Sequence, residues 1–97
     1  MTVRIMIEKP PGASWYAATV TDGKQTFEFD IDAPDDFMFR SEQEIIEAIS
    51  ACDDDAIGLI DVAARSGDPI VLNGEPFDPI AVRATIDALK ASGAMQP

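Results

Sequence analysis

The chain has no histidine, one cysteine, and seven basic residues against eighteen acidic ones. Each shortage excludes something. Without histidine, the usual general base near neutral pH is missing. Cys52 stands alone, so there is no internal disulfide and no cysteine-based metal site. Clustered Lys and Arg are what direct binding to nucleic acid or to an anionic membrane requires, and this composition disfavours both. No apolar run approaches membrane-spanning length, and Met1-Thr2-Val3-Arg4-Ile5 lacks the apolar centre of a signal peptide. The expected location is the cytoplasm, that of a host cell if the chain is phage-derived. The chain also lacks a Gly-rich phosphate loop, an internal repeat, a low-complexity tract and a linker.

What is present fits one domain. Ninety-seven residues leave no room for two cores, and a hydrophobic content of 46% is ordinary for a folded chain. A domain of this size buries roughly 60–65% of its unfolded surface. The net charge is −11, which costs stability through self-repulsion and favours a basic protein partner. That charge is concentrated. The 28 residues from Glu28 to Asp55 hold eleven acids and one base, Arg40, and so carry −10 of the total.

The patterning places this stretch on a strand and a helix. Phe27, Phe29 and Ile31 alternate with Glu28, Asp30 and Asp32, the period of a strand with one buried and one wet face. Residues 2–8 alternate likewise and end at Pro10-Pro11-Gly12, and residues 14–21 lead into an Asp22-Gly23 turn. Which of Trp15 and Tyr16 faces inward is open, as is whether 37–39 form a fourth strand or a loop tucked onto the core. Ser41-Glu42-Gln43-Glu44 is a capping box opening a helix over 42–52. Cys52 falls on the apolar stripe of that helix, which implies a buried, inert thiol. Asp53-Asp54-Asp55 starts a second helix that ends at Gly67. Asn73-Gly74 turns a small hairpin near 70–77. Asp78 with Pro79 starts a third helix, which Gly93 closes, and 94–97 read as a frayed tail. The expected fold is α+β: an antiparallel sheet of three to four strands followed by two to three helices packed on one face, with a small hairpin near 70–77.

The candidate site is the acidic face. Carboxylates at i and i+2 on a strand stand about 6.5–7 Å apart, comparable to neighbouring phosphates along a nucleic-acid strand. Glu28, Asp30 and Asp32 form one row, and Asp35, Asp36, Glu42, Glu44 and Glu47 extend it. Phe37 and Phe39, with Met38 between them, are candidate interface anchors, as is Tyr16. Asp53-Asp54-Asp55 suits a hard cation but equally caps a helix, and capping is the commoner use. A calcium loop starting at Asp30 fails, because Pro34 and Asp35 occupy its fifth and sixth positions and Ser41 stands where a glutamate is needed. A winged DNA-binding unit over helices one to three fails on charge, with Arg65, Arg83 and Lys90 as its bases. No cofactor or metal is expected, and catalysis is not.

Ile5-x-Ile7-Glu8, Trp15-Tyr16-Ala17 and Ser41-x-x-Glu44-x-Ile46-x-Ala48-Ile49 together resemble, over about half the chain, the opening of HicB-type antitoxins. The Pro-x-x-x-Gly-Cys stretch of that family is absent here. In character, a small, acidic, cysteine-poor α+β chain is similar to phage anti-CRISPR proteins and other acidic inhibitors of nucleic-acid enzymes, which share no signature. The expected function is a non-enzymatic inhibitor whose acidic face docks on a basic nucleic-acid-binding protein. The alternative is an antitoxin or adaptor subunit that binds through an apolar surface at Ile70, Phe77 or Val82.

Overall fold

The computed structural model describes residues 2–33, 38–39 and 41–93. The alternating first third forms three strands, β1 (Val3–Glu8), β2 (Trp15–Thr21) and β3 (Thr26–Asp32), paired antiparallel in sequence order. Two helices follow, α1 (Glu42–Cys52) and α2 (Asp54–Ser66). Next come the short strands β4 (Ile70–Leu72) and β5 (Glu75–Phe77), and then α3 (Pro79–Ala91). The α+β class holds.

The sheet differs from the expectation. It has five strands rather than three or four, and it is mixed rather than antiparallel, because the 70–77 hairpin joins it: β4 pairs parallel with β1, giving the order β3-β2-β1-β4-β5. The cause lies in β1. Its even-numbered residues pair with β2, so the peptide groups of Val3, Ile5 and Ile7 face the other edge and need partners. Val3 donates to the Pro69 carbonyl, and Asn73 donates to the Ile5 carbonyl. Beyond the end of β4, the Asn73 side chain serves as a substitute strand: its Oδ1 accepts from the Ile7 N–H at 2.9 Å and its Nδ2 donates to the Ile7 carbonyl at 3.2 Å. Asn73 also holds φ = 48°, the left-handed turn conformation that asparagine tolerates.

Helix boundaries follow their caps. The Glu44 N–H donates to Ser41 Oγ, and the Ile80 N–H donates to Asp78 Oδ1. A single residue separates α1 from α2. Asp53 is the C-cap of one, donating to the Ile49 carbonyl, and the N-cap of the other, accepting from the Asp55 and Ala56 N–H groups at 3.0 Å. Gly67 ends α2 at φ = 75°, and Asp68 reaches back to the Ala63 carbonyl in a Schellman closure.

The core is largely isoleucine and valine: Ile5, Val20, Ile46, Ile49, Ile60, Val82 and Ile86 are all fully buried. Burying each is worth about 1.5–3 kcal/mol, while β-branching lowers helix propensity, so packing rather than intrinsic preference holds the helices. α1 lies over β3, α2 over β1 and β4, and α3 packs against both helices. Strand parity settles the open question at 15–16. Tyr16, Ala18 and Val20 point to the helices, and Trp15, Ala17 and Thr19 point away. At 38–39 the loop alternative is the one seen: Met38 is exposed, while Phe39 packs on the core with its ring 5.0 Å from that of Tyr16. Cys52 corrects a second expectation. Ile46, Ile49 and Ser50 define the inward arc of α1, position 52 falls about 120° from Ile46 around the helix, and the thiol is exposed.

Removing the Asn73 side chain tests the substitute-strand role. Asn73→Ala loses both bonds to Ile7 and strains the turn, and the expected cost is about 2 kcal/mol in denaturant unfolding. An unchanged midpoint would show that Ile7 finds other partners.

Candidate functional site: the uncovered sheet face

The helices cover one face of the sheet and leave the other bare. Cross-strand register sets its layout. Trp15 stands opposite Asp32, Ala17 opposite Asp30, and Thr19 opposite Glu28; on the other side of β2, Glu8 is beside Ala17 and Met6 beside Thr19. Glu8 and Asp30 therefore flank the small Ala17 from two strands apart, about 10 Å. A shallow depression of about 420 Å³ lies here, lined by Trp15, Ala17, Thr19, Glu28 and Asp30. Met6, beside Thr19 on β1, is 50% exposed.

Glu28, Asp30 and Asp32 lie where the alternation predicts, exposed and in one row. Among the described residues none of the three forms an ion pair. Two bases pair within the helix layer: Arg65 bridges Asp61 and Asp87, and Lys90 reaches Asp61 at 3.1 Å, tying α2 to α3. The bond to Arg65 holds the Asp87 carboxyl below the usual carboxylate range. The helix layer thus neutralises part of its own charge, and among the described residues no base compensates the row on β3.

The other expected members of the patch divide. Glu42, Glu44 and Glu47 belong to α1, on the opposite side of the sheet from the row, with Glu44 half-buried. The structure does not join them into one flat surface with β3. Asp35, Asp36 and Phe37 lie outside the described residues. Phe39 and Tyr16 pack against each other and the core, so neither presents a free ring on the open face. Trp15 does, although the anchors expected from sequence are Tyr16, Phe37 and Phe39. A signal was available: Thr19 and Thr21 share its parity, and two threonines mark that face of β2 as the wet one.

Asp53 is occupied in capping, and among the described residues no group of three His, Cys, Asp or Glu side chains is placed to hold a metal ion. Cys52 sits at the junction of the acidic elements. Partial burial pushes its thiol above the usual cysteine range, and the charges of Asp32 and Asp53 add to the shift. A raised pKa leaves little thiolate at neutral pH, so the exposed thiol is a poor nucleophile. No helix among the described residues is long and apolar enough to cross a membrane. No family model, curated protein or solved structure matches the chain.

Two outcomes follow from these electrostatics. Alkylation of Cys52 by iodoacetamide, which is neutral, should be slow at pH 7 and rise with pH beyond the ordinary cysteine range. Asp32→Lys should speed it at fixed pH, and an unchanged rate would mean that Asp32 does not act on the thiol. Raising salt from about 0.01 M to about 1 M shortens the screening length from about 30 to about 3 Å. The thermal midpoint should rise as acid–acid repulsion is screened, whereas a fall would show that the paired charges dominate.

Proposed function

We propose that this protein is a non-enzymatic binding protein that docks its open acidic sheet face on a basic surface of a nucleic-acid-binding protein and blocks it, in the manner of an anti-CRISPR or nuclease inhibitor. The observation that carries this reading is the face the helices leave open: a row of carboxylates about 6.5–7 Å apart, without an ion pair among the described residues, beside the chain's single tryptophan. Complementary charge speeds encounter and makes it sensitive to salt. Trp15, half-buried beside Ala17, supplies a rigid anchor of the type that dominates interface energetics. Neither nucleic acid nor a membrane is the direct partner, because both are anionic, and the cytoplasm is the proposed location.

The antitoxin or adaptor reading needs a different surface from the one first expected. Ile70, Phe77 and Val82 are in the core, at 2%, 3% and 0% exposure, so substituting them would unfold the protein rather than probe an interface. Among the described residues that half of the chain exposes Val62, at 62%, on α2, and Ile80, at 79%, at the start of α3; Ile80 is the one on the third helix. An apolar partner would engage it there.

The discriminating experiment captures partners from nuclease-treated lysate at low and at high salt, with the wild-type chain, with Glu28, Asp30 and Asp32 all changed to Lys, and with Ile80→Glu. The acidic-face reading expects a nucleic-acid-binding protein held by the wild type at low salt and lost both in high salt and in the triple variant. Retention through both changes, with loss in Ile80→Glu, favours the adaptor reading instead.

A further inference from the structure

The register of β3 makes its outer edge unusual. At one end the Asp22 N–H donates to the Gln25 carbonyl, and at the other the Ala33 N–H donates to the Ser14 carbonyl. Between them the pairing with β2 is unbroken. In an antiparallel ladder bonded pairs alternate with non-bonded pairs, so both ends give the same assignment: Phe27, Phe29 and Ile31 exchange bonds with β2. The N–H and C=O groups of Thr26, Glu28, Asp30 and Asp32 therefore point outward, away from the sheet. β3 is the terminal strand of the sheet order, and no bond reaches these outward groups among the described residues. The residues with unpaired carboxylates are thus also the residues with unpaired peptide groups.

The two faces of this edge differ in chemistry. On the open face stand Glu28, Asp30 and Asp32. On the helix face stand Phe27 and Phe29, both only half-buried because no strand lies beyond them. A groove of about 520 Å³ continues that side, lined by Phe27, Gly58, Leu59 and Val62, the last 62% exposed, together with the polar Asp22, Gln25 and Asp55.

We infer that β3 accepts an added strand from its partner, and that this strand alternates Lys or Arg with apolar residues. The inference deepens the acidic-face reading and rests on it. An added strand satisfies the outward peptide groups, which supply affinity, and its alternate side chains meet the two faces, which supply specificity. The basic ones lie beside Glu28, Asp30 and Asp32, and the apolar ones cover Phe27 and Phe29. A second copy of the chain does not fit, because antiparallel β3–β3 pairing sets these acids against their own kind, and like charges directly opposite are destabilising. The acids thus bar self-association at an edge that stays open to a basic strand.

The test uses a capped synthetic peptide, Lys-Val-Lys-Val-Lys-Val-Lys, and two versions N-methylated on the lysine nitrogens or on the internal valine nitrogens. Binding is read by Trp15 fluorescence and by amide hydrogen exchange. In the protein alone, the Phe27, Phe29 and Ile31 amides should be protected and those of Glu28, Asp30 and Asp32 should exchange fast. The unmodified peptide should slow exchange at those three. One methylated version, identifying the strand direction, should bind about tenfold more weakly or worse, and the other should bind like the parent. Equal binding by both methylated versions, without new protection at residues 28, 30 and 32, overturns strand addition and leaves the acidic-face reading standing. Undiminished peptide binding by the Glu28, Asp30 and Asp32 to Lys variant overturns the acidic-face reading itself. A net shift to dimer in sedimentation, with the same three amides protected in the absence of peptide, assigns the edge to a second copy and also overturns the inference.

Discussion

The fold depends on β1 being paired along both of its edges. Its even residues bond to β2 and its odd residues face β4. The odd residues include Val3 and Ile5, which are fully buried. The chain leaves the sheet after β3, crosses it as α1 and α2, and returns on the far side of β1. Because β4 runs only from Ile70 to Leu72, it cannot cover the whole of β1, and the Asn73 side chain completes the ladder. Both crossover helices, and α3 against them, pack on one face. The bare opposite face follows from that single crossing, and so does the exposure of the acidic row.

Charge is distributed unequally between the two layers. In the helices, Asp61 and Asp87 share Arg65 and Lys90, so like charges on α2 and α3 are held apart by intervening cations. Such exposed pairs are each worth little, about 0–1 kcal/mol, but they consume two of the seven basic residues. Among the strand residues Arg4 is the base on the open face, in the row with Thr21 and Thr26, at the far side from Trp15 and Asp32. What remains around Ala17 is a negative field beside an aromatic ring. The acids of α1 and the row of β3 act on opposite sides of the sheet, and the raised thiol of Cys52 marks where Asp32 and Asp53 act on one group.

Much of the local structure was legible. The capping serine of α1, the glycine ending α2, the Asp78–Pro79 start of α3 and the Asn73-Gly74 turn all act through bonds between near neighbours, and such signals survive in one dimension. The row Glu28, Asp30, Asp32 was legible for the same reason: a period of two needs only the strand itself. The place of β4 was not, because its partner Val3 lies 67 positions away and three residues carry too little pattern to specify a neighbour. Nor was it legible that Ile70, Phe77 and Val82 lie in the core rather than on an apolar surface, since a buried and an exposed apolar residue read alike.

By itself, then, the sequence determined which residues form strands and helices, where the charge lies along the chain, and which chemistries lack their side chains. Those follow from dihedral preference, alternation and composition, all of them local or additive. Tertiary structure alone decided that the hairpin joins the sheet, and that the α1 acids lie on the other side of the sheet from the row on β3. These depend on which elements pack together, and burial is a property of the assembled layers rather than of any one of them.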